Sequence, residues 1–185
     1  LQDKSVDIQC IMDATPALFT NGKYEEITIA LLLLNGRKKQ YTQETFSFVE
    51  KLYQWGITNW AHADTLGMWI VPELIKKGII NIADLQTWIT SKNSYQRRTV
   101  PVSFIKSLKM LNGYALLFEI IEPLMCAQKR EEQQGTGWFL REAWKIRPQE
   151  TEAFLMKWKD TAPRLIYQIA CEKMDKTYKM KFKKN

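Results

Sequence analysis

The chain has 185 residues, which suits one domain or one continuous repeat array with a hydrophobic core. Its 27 lysines and arginines outnumber its 20 acidic residues, and the net charge of +7 is compatible with an acidic partner such as nucleic acid. Three cysteines without a CxxC pair argue against a disulfide framework or zinc site, and the single histidine, His62, excludes a multi-histidine metal centre within this chain. The cysteine usage favours a reducing cytoplasm, and the longest apolar run, residues 29–34, is too short to span a bilayer.

Helices are predicted from one end of the chain to the other, because apolar residues recur at spacings of three and four and strict alternation is almost absent. Gly, Pro or capping residues separate about ten helices of about 10 to 18 residues. Pro101 is expected to kink a helix or delay its start. The candidate N-caps and the candidate first-turn proline are Thr42, Asn81, Thr161 and Pro148. The chain starts at Leu1 rather than Met, so further amino-terminal sequence is expected.

A repeat runs through these helices. Predicted helices begin near Tyr24, Thr58, Ser94 and Gln134, about 34 to 40 residues apart, and another helix precedes each. That spacing is typical of paired-helix solenoids. We therefore predict an all-α fold, an α-α superhelix of HEAT-like or armadillo-like repeats with a concave basic groove. It forms a single domain over residues 1–185, and the protein is expected to be a monomer.

The last ten residues form a basic tail. The tail, residues 176–185, is predicted to be a frayed, solvated end, with a phosphate-contacting arm as the alternative. Its lysines are Lys176, Lys179, Lys181, Lys183 and Lys184.

Two tryptophans stand on polar helical faces. Trp60 and Asp64 are four residues apart and therefore differ by only about 40° around a helix. Trp138 shares a face with Gln134, Arg141, Glu142 and Lys145. Because buried tryptophans usually align with other apolar residues, these two suggest a site for something flat and charged. Leu66, Ile70 and five other tryptophans are predicted to pack between helices: Trp55, Trp69, Trp88, Trp144 and Trp158.

Three segments carry a resemblance to a known family. They are Asn59-Trp60-Ala61-His62-Ala63-Asp64, Asn93-Ser94-Tyr95-Gln96-Arg97-Arg98 and Gly137-Trp138-Phe139-Leu140-Arg141-Glu142. The chain resembles the AlkD-type DNA alkylation repair proteins, a family of HEAT-like DNA glycosylases, from about Leu18 to Met174. The third segment is the most specific of the three.

The resemblance implies a function and a set of site residues. It implies excision of cationic alkylated purines, such as 3-methyladenine and 7-methylguanine, from double-stranded DNA during base excision repair, with neither metal nor organic cofactor. It assigns Trp60, Asp64 and Trp138 to catalysis. It implies that Arg98 and Arg141 contact phosphates or the groove, and the neighbouring Arg97 and Lys145 are expected to bind DNA with them.

The chain also departs from the family pattern. Ala61 stands where an acidic residue often follows the family's tryptophan, and Gln168 takes one of the arginine positions near the carboxy-terminal end. This second departure weakens the DNA contacts expected there and leaves the catalytic trio intact.

Structural roles remain the alternatives for these residues. Arg98 can pair with a neighbouring acid or a helix terminus, and Arg141 can form a surface pair with Glu142. His62 is expected to pack or to lie at the groove edge rather than to act as acid or base. The rival to the enzyme is a non-catalytic helical-repeat module that binds DNA or protein. An internal ion pair on Asp64, or a buried Trp138, would favour that rival.

Overall fold

The computed structural model describes residues 6–183, and no strand occurs within that range. The α-helices are α1 (Ile8–Thr20), α2 (Tyr24–Gly36), α3 (Gln43–Trp55), α4 (Trp60–Thr65), α5 (Val71–Lys76), α6 (Ser94–Phe104), α7 (Ala115–Ile121), α8 (Arg130–Ile146), α9 (Pro148–Trp158), α10 (Arg164–Ala170) and α11 (Lys176–Lys179). A π-helical turn, Leu66–Ile70, joins α4 to α5, and 3-10 segments occur at Lys38–Gln40, Ile82–Thr90, Ile105–Ser107, Glu122–Cys126 and Met180–Phe182. The all-helical prediction is confirmed for this part of the chain. None of these helices is both long and apolar enough to cross a membrane.

Every second main helix recurs at a nearly constant interval. Helices α2, α4, α6, α8 and α10 begin 34 to 36 residues apart, and each packs against the next member of this series. Two of the four predicted starts are confirmed, at Tyr24 and Ser94. Helix α4 begins at Trp60, two residues later than predicted, because Asn59 is its N-cap. Helix α8 begins at Arg130, four residues earlier than predicted, and continues through Gly135 and Gly137.

Three of the four residues predicted to begin a helix or cap its start are confirmed, and the fourth is not. Thr42 and Asn81 each form a capping box, and Pro148 is the first residue of α9. Thr161 was predicted to be an N-cap, and this is wrong. Ala162 and Pro163 follow it, and α10 begins only at Arg164.

Pro101 does not delay the start of α6. The side chain of Asn93 accepts hydrogen bonds from the backbone N–H groups of Tyr95 and Gln96, which starts the helix at Ser94. Helix α6 continues through Pro101 to Phe104. The helix therefore accommodates the missing N–H within its own length, so of the two predicted effects, a kink or a late start, the late start is wrong.

Most of the tryptophans that were predicted to pack between helices do so. Trp88 is buried, stacks on Phe46 and donates its indole N–H to Glu50. Trp55, Trp144 and Trp158 are partly exposed and pack against the core or its aromatic rings.

The prediction for Trp69 is wrong, because its side chain is 49% exposed. The π-helical turn at residues 66–70 provides the physical reason. A π turn contains more residues than an α turn, so side chains along it rotate away from the directions that α periodicity predicts. Leu66 and Ile70 are buried as predicted, whereas Trp69 is turned outward.

The tail is folded as far as the structure describes it, so the prediction of a frayed end is wrong there. Phe182 is buried beside Tyr167, and the Tyr178 hydroxyl donates to Glu152. The Lys181 ammonium lies 3.8 Å from the centre of the Tyr178 ring. The tail therefore covers part of α9 and α10, while Lys184 lies outside the described residues.

Candidate functional site

Helix α4 presents Trp60 to solvent. The Asn59 side chain accepts a hydrogen bond from the His62 backbone N–H at 3.0 Å and so fixes the first turn. Trp60 is the first residue of the helix and is 63% exposed. A large, solvent-exposed indole at a fixed helix terminus is available to a ligand.

Asp64, one turn further along α4, is held by Arg98 of α6. The guanidinium donates from Nε to Oδ1 and from Nη2 to Oδ2, both at 2.8 Å, while Nη1 donates to the Glu131 carbonyl at 2.8 Å. The side chains of Asp64 and Arg98 are 15% and 7% exposed. This parallel two-bond geometry fixes the orientation of the carboxylate as well as its position.

Gly135 allows α8 to approach this pair. A Cβ built on Gly135 would lie 2.9 Å from the Arg98 Cγ and 3.2 Å from the Arg98 carbonyl oxygen. Gly67 plays the same role on the other side of α6, where a Cβ would lie 2.9 Å from a methyl carbon of Val102. Gly135 and Glu131 support the site, and neither was predicted from the sequence. A glycine in mid-helix was the available signal, since it costs helix stability unless a close approach requires it.

The structure brings together Asp64, Arg98 and the first turn of α8. Trp138 lies on α8 about one turn beyond Gly135 and is half-buried. Among the described residues, neither Trp60 nor Trp138 stacks on another aromatic ring. Both indoles retain accessible surface, and the convergence of the trio stays a prediction.

The other cations expected to bind DNA are paired with acidic side chains. Arg97 pairs with Glu132, and Arg141 pairs with Glu142 at 3.0 Å and with Glu172. Lys145 also contacts Glu142, at 2.7 Å. Arg98, predicted to contact phosphate or the groove, is buried against Asp64, the pairing that its structural alternative describes. In this conformation the positive charge along α6 and α8 is largely neutralised locally.

Glu142 responds electrostatically to these neighbours. Partial burial alone raises the pKa of its carboxyl, but the hydrogen bonds and charges of Lys145 and Arg141 outweigh this and hold the pKa below its usual value. The pair of cations therefore keeps Glu142 ionised, and Glu142 in turn holds both cations on the α8 surface.

His62 is built into the packing beside the site. The Thr28 hydroxyl donates to the Tyr24 carbonyl and so accepts from Nε2 of His62 at 2.9 Å, while the Asn59 side-chain amide donates to Nδ1 at 2.7 Å. The ring is 2% exposed and stacks on Tyr24 with 4.6 Å between ring centres. Both ring nitrogens are occupied, so His62 serves as a packing residue here rather than as an acid or base.

The match to a known family covers nearly the whole chain. A family model described as "DNA alkylation repair enzyme" matches residues 1–174. Comparison with curated proteins finds no match. The matched region contains Trp60, Asp64, Arg98 and Trp138.

Proposed function

Because this chain belongs to the DNA alkylation repair enzyme family, we propose that it hydrolyses the N-glycosidic bond of cationic alkylated purines in double-stranded DNA. The substrates are bases such as 3-methyladenine and 7-methylguanine, and the product is an abasic site for base excision repair. The observation that carries the proposal is the exposed indole of Trp60, one helical turn from the Asp64 carboxylate and within the segment that the family model matches.

The proposed reaction requires only a modest catalytic contribution from the protein. An alkylated purine that carries positive charge leaves with the electrons of the bond between C1′ and nitrogen and becomes neutral. Positive charge then develops on the deoxyribose, a water oxygen bonds to C1′, and the proton of that water passes to solvent. Asp64 stabilises the developing charge and orients the water.

The Arg98 pair leaves Asp64 able to perform this role. Each carboxylate oxygen offers about two lone-pair directions, and Arg98 occupies one on each oxygen. The remaining directions and the residual exposure of the side chain admit a water molecule. In this proposal Arg98 acts as a positioning residue for Asp64.

The tryptophans supply binding to the cationic nucleotide. An indole face attracts a nearby cation by about 0.5–2 kcal/mol, and more strongly as water is excluded. Trp60 has the exposure this requires, and Trp138 is the second candidate. The constant interval between α2, α4, α6, α8 and α10 supports placing these residues on one face of a HEAT-like superhelix.

The decisive experiment measures release of 7-methylguanine from methylated duplex DNA by the purified protein. Asp64→Asn is expected to lower the release rate at least about 100-fold, in the range found when one group that stabilises transition-state charge is removed. Asp160→Asn is the matched control, since Asp160 is exposed after α9, and it should leave the rate unchanged. Circular dichroism on each variant separates loss of chemistry from loss of fold.

Trp60→Ala gives a second measurement that does not touch the ion pair. Because Trp60 is exposed, its removal should leave the fold intact and lower the release rate about 2- to 30-fold. If the wild-type protein releases no 7-methylguanine under conditions in which a known glycosylase is active, the enzyme proposal is wrong.

The ion pair itself favours one second candidate, a non-catalytic module that binds DNA. In that case the Asp64–Arg98 contact joins α4 to α6 and has only a structural role. The wild-type protein would then bind duplex DNA and release no base, and Asp64→Asn would alter stability alone.

A further inference from the structure

A cavity of about 470 Å³ lies at the opposite end of α4 and α5 from Trp60. We call it the lysine cavity because Lys38, Lys76 and Lys106 line it, from the turn after α2, the end of α5 and the turn after α6. Glu73 is the one acidic residue in its lining. The cavity walls therefore carry a surplus of positive charge contributed by three successive repeats.

These lysines differ from the cations near Asp64. Arg97, Arg98, Arg141 and Lys145 each contact a carboxylate. Within residues 6–183, by contrast, no acidic side chain forms an ion pair with any lysine of the cavity, and all three lysines are exposed. Their charge is thus available to an external anion without breaking a bond inside the protein.

The remaining wall is formed by large side chains that stand in solvent. Trp69 is 49% exposed and Met110 is 66% exposed, and both line the cavity. The indole N–H of Trp69 has no acceptor in the described part of the chain and can donate to a phosphate oxygen. Two large apolar side chains left in water beside unpaired lysines indicate a surface that something covers.

The position of the cavity suits a long ligand. Lys76 follows Asp64 by twelve residues, through the end of α4, the π-helical turn and α5, which corresponds to at most about 18 Å along these helices. Double-stranded DNA carries one charge per about 1.7 Å of its axis, so a duplex centred at Asp64 continues to present phosphates at that distance.

We propose that the lysine cavity binds backbone phosphates of the DNA that flanks the damaged nucleotide, through Lys38, Lys76 and Lys106, with Trp69 as an additional donor. The choice of DNA as the anion rests on the proposed function, but phosphate binding does not require a lesion. The cavity therefore contributes to affinity for undamaged duplex as well.

The test of this proposal measures binding to an undamaged duplex of about 20 base pairs. Fluorescence anisotropy follows the binding over a series of salt concentrations. The variant Lys38→Ala/Lys76→Ala/Lys106→Ala is compared with Lys51→Ala/Lys157→Ala/Lys173→Ala, which removes the same charge from exposed lysines of α3, α9 and the turn after α10. If each cavity lysine neutralises one phosphate, the slope of log K against log salt falls by about 2.7, and the affinity at moderate salt falls at least about tenfold. The control variant should lose less than about twofold.

The outcomes separate this proposal from the enzyme proposal. Equal losses in the two triple variants, or no duplex binding by the wild type, overturn the lysine cavity as a DNA site. Release of 7-methylguanine with an unchanged salt slope overturns it too, and leaves the glycosylase standing. A selective loss of slope in the cavity variant supports it, whether or not the wild type releases a damaged base.

Discussion

Gly135 of α8 lies against Arg98 of α6 so closely that a Cβ on the glycine would be 2.9 Å from the Arg98 Cγ. The same arginine donates two hydrogen bonds to Asp64 and one to the Glu131 carbonyl. Helices α4, α6 and α8 thus meet at one guanidinium, and the position of the candidate catalytic carboxylate on α4 depends on a glycine on α8.

We predict that Gly135→Ala destabilises the protein by about 1–3 kcal/mol, because the added methyl group must displace Arg98 or move α8. Gly36→Ala is the matched control. It also lies in a helix, and a Cβ there would meet nothing within 4 Å, so its effect should be neutral or slightly stabilising. Urea unfolding of both variants measures the difference. Equal stabilities would show that the contact relaxes without cost.

The Asp64–Arg98 pair should show strong energetic coupling. Asp64→Ala leaves a nearly buried guanidinium without its partner and should cost about 3 kcal/mol, while Arg98→Met should cost less because Asp64 is more exposed. The double variant is expected to lose about 1–3 kcal/mol less than the sum of the single losses. Urea unfolding at neutral pH gives all three values, and additive losses would contradict the coupling.

The sequence predicted the helices, their interval and the composition of the candidate site, because each depends on local patterns. Trp60 and Asp64 share a face through helical periodicity, and Gly-Trp-x-Leu-Arg-Glu is a contiguous motif. The partner of Arg98 could not be chosen in this way. Phosphate and carboxylate attract a guanidinium by the same chemistry, and only the packing of α4 on α6 decides between them.

Two predictions are wrong for physical reasons that helical periodicity does not include. A π-helical turn rotates Trp69 into solvent, although α periodicity directs it inward. In the tail, the density of lysines indicates a solvated segment, yet Tyr178 and Phe182 hold it against α9 and α10. In both cases a local feature, a helical turn or a few aromatic contacts, outweighs what the average pattern of the segment predicts.

His62 should make stability depend on pH. Burial lowers the pKa of its imidazole, outweighing a hydrogen bond at Tyr24 that raises it, and the amide donor of Asn59 faces the nitrogen that protonation would fill. The unfolded chain therefore binds the proton first as the pH falls, so stability decreases with falling pH from about 6.5 to the lower pKa of the folded state. His62 is the single histidine, so His62→Gln should remove this dependence between about pH 5.5 and pH 7.5. An unchanged pH profile in that variant would assign the effect to other groups.

Phe182 should anchor the carboxy-terminal tail. Its side chain is 5% exposed and lies beside the Tyr167 ring, with 6.3 Å between ring centres. Phe182→Ala removes most of a buried aromatic side chain, and we expect it to lower the free energy of unfolding by about 3 kcal/mol. Met180→Ala, at a 55% exposed position two residues earlier, should change it by less than about 0.5 kcal/mol. Urea unfolding provides the values, and limited proteolysis should cut the tail of the Phe182 variant faster than that of the control. If both variants are as stable and as protease-resistant as the wild type, the tail is not held by Phe182.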